Sequence, residues 1–350
     1  MRRRTRTAVG IVLSLVLLGW ALNDVSASEV LAEIRMADPV LLTVAILITL
    51  IGFWIRAVRW GILLIPVSGA VPLKPRLAGT FIGFAVNNLL PARIGEFARA
   101  FSLSRLSTVS TSAAFATLVV ERLLDGLVLV GLLFAAMATA SFPAAANLGG
   151  VDLRSAALAV TAVMVAVAVG LFLAVTAPVR ADRVVRFATG FLPERPRIAT
   201  IESLRGFARG LRILRSPRLF VISAVFALGQ WIFLATSYWL GYLAFGIDSV
   251  PFTGAVFLQS LISLAVAVPS SPGFFGPFEA AARFGLGLWG VPAERAVSFA
   301  IGYHIAGFLP VTLIGLYFIW RMNLRWSDVR HSQENLEAEA ADPQSSLETR

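Results

Sequence analysis

The sequence predicts an all-α polytopic membrane protein of about six full spans plus two oppositely oriented re-entrant helical hairpins in an inverted repeat. By hydropathy alone this is seven to eight hydrophobic segments, since a spanning helix needs roughly 20 mostly apolar residues. Three observations carry this: an apolar composition, long uncharged runs, and two apolar segments interrupted at midpoint. Of 350 residues 57% are hydrophobic and 14% charged, and mean hydropathy is +0.80. Soluble domains carry roughly a quarter of their residues as charges, so an ordinary water-soluble enzyme is excluded. There is no cysteine, and His304 and His331 are the only histidines. Disulfides, thiolate catalysis and Cys/His metal sites are therefore excluded, and no cofactor or metal is expected. The net charge of +10 would suit nucleic acid or an anionic lipid surface; the apolar runs decide for the membrane and against nucleic acid.

Taken in order, Thr7–Leu22 follows the basic Arg2-Arg3-Arg4-Thr5-Arg6. It reads as an uncleaved first span, with a cleaved signal sequence ending near Val25 and Ala27 as the alternative. Val40–Pro66 is a span with Arg56 and Arg59 near its end, and Thr108–Ser141 is one that carries Glu121, Arg122 and Asp125 inside it. Ser155–Val179, Leu219–Ile247 and Ala296–Trp320 complete the set, ionisable only at His304. Basic loops stay cytoplasmic. The 180–218 segment holds ten arginines against Asp182, Glu194 and Glu202, so it lies inside, where Leu204, Phe207, Leu211 and Leu214 make an amphipathic helix on the anionic leaflet. The acidic Asp24–Asp38 loop and the nearly uncharged Phe142–Asp152 loop lie outside. Residues 1–326 form one membrane domain, and 327–350 a disordered cytoplasmic tail.

That topology leaves 75–105 flanked by inside loops and 252–289 by outside loops, so each must enter and leave by one face. Each is broken by proline and glycine, at Leu90-Pro91-Ala92-Arg93-Ile94-Gly95 and at Pro269-Ser270-Ser271-Pro272-Gly273-Phe274-Phe275-Gly276. Both breaks read Pro-x-x-x-Gly-x-Phe: Pro91, Gly95 and Phe97, then Pro272, Gly276 and Phe278. Paired interruptions in two oppositely oriented halves are the sequence pointer to an inverted-repeat transporter with a midplane site.

Irregular backbone at membrane depth needs protein or a wet cavity to satisfy it. Helix N-termini near Arg93 and Gly273 would favour an anion, with Asn87 and Asn88 before the first break and Ser270 and Ser271 at the second. The intramembrane charges Arg93, Glu96 and Arg99 stand at i,i+3, as do Arg122 and Asp125, so each set shares a helix face. Such charges pair or face water; the alternative to a ligand role is a set of internal salt bridges. Glu96 and Asp125 read as holders of arginines, and Arg93 as a contact for an anionic headgroup. Glu279 is expected to neutralise one of these arginines or Arg283. Arg56 and Arg59 read as snorkelling to lipid phosphates, the tryptophans as interface anchors or packing, and His304 as hydrogen-bonded and inert, although a histidine there could titrate. No nucleotide-binding loop or Ser/His/Asp set is present, and nothing in the sequence brings Glu279 and His304 together.

These residues also carry a resemblance. Arg56-Ala57-Val58-Arg59-Trp60, Asn88-Leu89-Leu90-Pro91-Ala92-Arg93-Ile94-Gly95-Glu96, Glu121-Arg122-Leu123-Leu124-Asp125, Pro272-Gly273-Phe274-Phe275-Gly276-Pro277-Phe278-Glu279 and Tyr303-His304 before Pro310 occur in that order. The chain resembles the lysylphosphatidylglycerol synthase transmembrane-region family, the flippase-like domain, as a stand-alone member without the synthase domain. The resemblance implies translocation of a charged, anionic or aminoacylated, phospholipid or other envelope lipid. It implies that Asn88, Pro91, Arg93, Gly95, Glu96, Arg122, Asp125, Gly273, Gly276 and Glu279 line or support the path. Phe274 stands where the family usually has glycine and His304 where it usually has arginine. The expected substrate-binding set is therefore Asn87, Asn88, Pro91, Arg93, Gly95, Glu96, Arg99, Arg122, Asp125, Ser271, Gly273, Gly276, Glu279 and His304. Expected partners are membrane phospholipids and, in a second reading, a lipid-modifying synthase that the chain supports as a non-catalytic subunit. A third reading is an integral-membrane lipid or polyprenyl-phosphate transferase. The expected location is the bacterial inner membrane, with both termini cytoplasmic.

Overall fold

The structure is a computed structural model that describes residues 3–143, 216–267 and 271–332, together with 147–148, 151–152 and a few positions between 158 and 213. Most of the span expected at Ser155–Val179, nearly all of the arginine-rich 180–218 segment, Ser270 and the end of the tail lie outside the described residues. The described chain is helical apart from one small antiparallel ladder, β1 (Asn147–Leu148) with β2 (Val151–Asp152). Its helices are α1 (Arg3–Leu22), α2 (Ala27–Met36), α3 (Pro39–Ser68), α4 (Leu73–Leu89), α5 (Gly95–Leu106), α6 (Thr111–Met137), α7 (Pro217–Ala244), α8 (Phe252–Ala265), α9 (Pro277–Gly287), α10 (Ala293–Arg321) and α11 (Trp326–Arg330).

Local chemistry sets the boundaries. Asp38 caps α3 by accepting from the Val40 and Leu41 amides at 2.8 and 3.1 Å, and Pro39 occupies the first turn, where no N–H is needed. Among the described residues α3, α7 and α10 are each long and apolar enough to cross a membrane. At 1.5 Å per residue, helices of 28 to 30 residues exceed a hydrocarbon core of about 30 Å. Their outward faces are apolar at helical spacing: Val40, Val44, Leu47, Ile51 and Trp54 on α3; Val221, Val225, Leu228 and Ile232 on α7; Ile305, Leu309, Leu313 and Tyr317 on α10. A soluble helix shows the reverse pattern; these stripes suit lipid. α1 and α2 together also pass as a span, bent by 80° at their junction. The expected outer loop at Asp24–Asp38 is thus largely helix α2.

Both interrupted segments fold as helix, 3-10 turn, helix. Pro91–Arg93 joins α4 to α5 and Pro272–Phe274 precedes α9, each turn opening on its proline. In each case the two helices fold back on one another. Gly83 lies against the Gly95 carbonyl and Gly79 against that of Arg99, so closely that a Cβ on Gly83 would meet Gly95 O at 2.7 Å. Gly285 of α9 packs on Leu258 and Leu261 of α8. The turns match even in strain. Arg93 and Phe274, each two residues after its proline, have φ of 54° and 64°, a region costly for a residue with a Cβ.

The long helices α3 and α7 pack along each other in opposite directions: the Asp38 amide donates to Ala244 O, Ser237 Oγ to Ala45 O, and Arg56 lies beside Trp231. Exchanging α3–α6 with α7–α10 maps each helix contact onto another: α4 packs on α10 as α8 does on α6, and α5 on α6 as α9 does on α10. The two 3-10 turns touch one another. α11 docks on α5 with Val329 buried, so the expected disordered tail begins with a packed helical turn.

Candidate functional site

A cavity of about 230 Å³ lies between the antiparallel pair α3/α7 and helices α4, α8, α9 and α10. Arg56, Gln230, Trp231 and Gln259 line one part of it, and Tyr238, Phe278, Tyr303 and His304 another; Asn88, Phe84 and Phe308 complete much of the wall.

Behind the first part sits a buried ion cluster. Arg56 Nη1 donates to Glu121 Oε1 at 3.0 Å and to Asp125 Oδ2 at 2.9 Å, and Arg99 donates to both Glu121 oxygens at 2.7 and 3.0 Å. Arg122 Nη2 reaches Glu121 Oε1 at 3.0 Å and Asp125 Oδ2 at 3.7 Å. Arg59 pairs with Asp125 at 2.6 Å and Glu121 at 3.6 Å, but its nitrogens make no aligned hydrogen bond. That contact is Coulombic rather than directional, because hydrogen bonds weaken steeply off line. Trp231 Nε1 donates to Asp125 at 3.1 Å, and the Arg56 guanidinium lies 5.4 Å from the Trp231 ring centre. Gln230, with its amide oxygen turned inward, accepts from Arg56 Nη2 and Nε at 3.3 Å each. Arg56, Arg59, Arg99 and Glu121 are at most 4% exposed. Four guanidinium groups face two carboxylates, an excess of two positive charges (4 − 2). Arg56 is the member that also lines the cavity.

The other part of the cavity holds a carboxylate–imidazole pair. Glu279 Oε1 is 2.7 Å from His304 Nδ1, while Glu279 Oε2 accepts from the Gly276 amide at 2.6 Å and caps α9. Phe278 stacks on the imidazole with centres 4.1 Å apart, and Phe275 lies on it at 4.7 Å. A carboxylate on Nδ1 fixes the ring and leaves Nε2, which has no hydrogen-bond partner among the described residues. Thr49, Ser237 and Tyr303 form a hydroxyl chain beside it, with Ser237 Oγ 2.8 Å from Thr49 Oγ1 and 2.6 Å from the Tyr303 hydroxyl.

The expected residues fall into three groups. Asn88 and His304 line the cavity, and Glu279 reaches it through His304. Arg99, Arg122 and Asp125 belong to the ion cluster behind it. The rest build the breaks. Asn87 accepts from the Gly95 amide at 2.8 Å, Ser271 donates its amide to Ser14 Oγ at 2.8 Å, and Gly276 lies so close to the Ser14 carbonyl that no Cβ fits. The α5 and α9 N-termini that were expected to offer amides to an anion are therefore engaged by Asn87 and Glu279. Pro91 opens its turn, and Gly273 has a positive φ of 68°. Arg93 does not line the cavity; it donates to Val266 O at 2.7 Å and covers the Phe274 ring, tying one break to the other. Glu96 makes no ion pair among the described residues, though it is near enough to Arg93 and Arg122 to offset part of their charge.

Two expectations are corrected. Arg56 and Arg59 do not snorkel: both are buried against Glu121 and Asp125, because two carboxylates in the middle of the apolar helix α6 recruit cations from the facing helix. Glu279 neutralises neither an arginine of the cluster nor Arg283, which instead donates to the Trp20, Ala21 and Asn23 carbonyls. Of the two roles expected for the tryptophans, Trp60 and Trp231 take packing, as buried partners of the cluster. Gln230 and Gln259 escaped sequence reasoning altogether. The available signal was a lone amide in an otherwise apolar helix, which is costly in hydrocarbon and therefore informative.

The family model described as "Lysylphosphatidylglycerol synthase TM region" matches residues 7–315. The chain belongs to this family. Among curated relatives it is similar to a protein named glycosyltransferase AglD of Haloferax volcanii, with 27% identity over 80% of this chain and 48% of the relative. The chain thus spans about half the length of AglD. It is also similar to a UPF0104 membrane protein of Methanothermobacter thermautotrophicus, 25% identical over 91% of this chain and 93% of the relative. A UPF0104 membrane protein of Pyrococcus horikoshii is 33% identical over 36% of this chain and 37% of that one. No solved structure matches. Family and apolar helices together make this a multi-pass membrane protein.

Proposed function

We propose that this protein holds the charged head of a membrane lipid in the cavity between its two helical hairpins and carries it across the bilayer, the acyl chains remaining in lipid. In this reading 75–105 and 252–289 are re-entrant hairpins of an inverted-repeat transporter in the bacterial inner membrane, with both termini cytoplasmic. The carrying observation is Arg56, a cavity-lining guanidinium in a cluster where three buried arginines and a partly exposed fourth face two carboxylates. A buried surplus of cations is costly unless an anion completes it, and a phosphate at Arg56 would do so. Membrane phospholipids are the partners this reading requires.

The test is translocation of labelled lipids by the purified protein in liposomes. Arg56→Gln removes the cavity-facing cation and leaves three arginines for two carboxylates, and a thermal melt of the variant separates loss of the path from loss of the fold. Translocation is expected to fall at least about tenfold, the scale of one charge-assisted hydrogen bond. Wild-type activity in that variant would remove Arg56 from the path.

The Haloferax relative supports a second reading, since this chain aligns with about half of a longer protein named as a glycosyltransferase. Here the domain would be a membrane subunit that supports a lipid-modifying synthase. That reading expects stable copurification with such an enzyme and no translocation by the pure chain.

A further inference from the structure

The lipid-handling reading leaves open whether the head is an anion or an amine-bearing group, and the cavity carries chemistry that decides between them. Gln259 is 2% exposed, lines the cavity, and donates its Nε2 to the Trp231 carbonyl at 3.0 Å. That donation fixes the amide orientation, because a reversed amide would set oxygen against oxygen. Oε1 is then a buried acceptor with no partner among the described residues. A buried acceptor left unpaired is destabilising and normally marks a missing donor. Tyr238 and Ser263 also line the cavity, with hydroxyls that hydrogen-bond to nothing among the described residues.

The missing donor could be a hydroxyl or an ammonium. Electrostatics separates the two. Among the described residues no aspartate or glutamate lines the cavity; Glu279 is fully buried behind His304, and Glu121 and Asp125 are saturated by arginines. An ammonium there would meet a guanidinium and a surplus of positive charge, with no carboxylate of its own. A neutral hydroxyl donates to Gln259 without that repulsion, while the phosphate beside it answers Arg56.

We infer that the cavity selects a phosphate ester whose head bears neutral hydroxyls and no ammonium, such as a glycerol, inositol or sugar phosphate lipid, with Gln259 Oε1 accepting from a head hydroxyl and Arg56 binding the phosphate. This rests on the lipid-handling reading and narrows it.

The test measures binding of lipids of one acyl composition to the purified full chain in detergent: phosphatidylglycerol, phosphatidylinositol, phosphatidylmethanol, phosphatidylethanolamine and lysylphosphatidylglycerol. Phosphatidylmethanol keeps the phosphodiester and its single negative charge and lacks the head hydroxyls, so it isolates the Gln259 contact. The hydroxyl-bearing anions are expected to bind roughly five- to tenfold tighter than phosphatidylmethanol, and the amine-bearing lipids weakest. Gln259→Leu, similar in shape, should erase the preference over phosphatidylmethanol while phosphatidylmethanol itself still binds. Equal binding of phosphatidylglycerol and phosphatidylmethanol by the wild-type protein, or stronger binding of either amine-bearing lipid, overturns the inference and leaves lipid handling intact. Binding of no lipid overturns both.

Discussion

The two helical hairpins share a backbone and differ in the sign of what they carry. Each places a proline at the start of a 3-10 turn, a positive φ two residues later and a glycine at the following helix start. Each then sets a charged side chain on its second helix against a partner on the next long helix. In the first half Arg99 of α5 meets Glu121 of α6 at 2.7 Å; in the second Glu279 of α9 meets His304 of α10 at 2.7 Å. The first contact grows into a cluster with two surplus positive charges, fed by Arg56 and Arg59 of α3. The second remains a pair, closed by the Gly276 amide and two phenylalanine rings. One scaffold thus presents a cation to one part of the cavity and an imidazole to another. Geometry is shared between the halves; electrostatics is where they diverge.

The largest predicted effect breaks the richer half. Glu121→Gln leaves Arg56, Arg59, Arg99 and Arg122 with Asp125 alone. Removing one partner of a buried ion network costs about 3–5 kcal/mol, so this variant is expected to lose its cooperative thermal transition in detergent. A melting temperature within a few degrees of wild type would mean that the arginines find other partners. In the second half Glu279→Ala removes the α9 cap and the His304 contact, both made by one carboxylate. About 1–3 kcal/mol is expected, read as a clear but smaller drop in melting temperature. Should Glu279→Ala prove the more damaging of the two, the ranking of the halves drawn here is reversed.

Glycine substitutions at the two strained positions sharpen the comparison further. Phe274→Gly relieves a left-handed Cβ worth about 1–2 kcal/mol and forfeits the half-buried ring that Arg93 covers, two effects of opposite sign, so stability should change little. Arg93→Gly gains the same relief but loses the bond to Val266 O that ties the breaks together, so it should be destabilised relative to Phe274→Gly. Equal melting temperatures for the two would show that the tie adds no stability. The smallest effect is expected at Asn88, whose amide donates to Thr312 Oγ1 at 2.8 Å across α4 and α10. Asn88→Ala should cost about 1 kcal/mol, and a loss several times larger in unfolding experiments would assign Asn88 a greater part in holding α4 to α10.

Much of the scaffold was legible in the chain. Proline cannot continue a helix and glycine permits close backbone approach, so Pro91, Gly95, Pro272 and Gly276 mark both breaks in the sequence itself. The i,i+3 spacing of Arg122 and Asp125 announced a charged face on α6. The identity of the cavity residues was less legible. Arg93, adjacent to a break, looked like the ligand contact, yet it closes the gap between the breaks, while Arg56 and Gln259, in plain apolar helices, face the cavity.

Composition, run length and the placement of proline and glycine determined that this chain enters a membrane, that two of its segments fold back on themselves, and that charges stand within its apolar helices. Those are local or summed properties, and they need no knowledge of which helix meets which. Only the tertiary structure decided that α3 would supply the cations for α6, and that Glu279 would find His304 rather than Arg283. The reason lies in the solvent. In water a helix buries its apolar stripe and the sequence shows which face turns inward; in a bilayer lipid is as apolar as the protein interior, so the stripe no longer points the way and pairing across helices fixes each rotation.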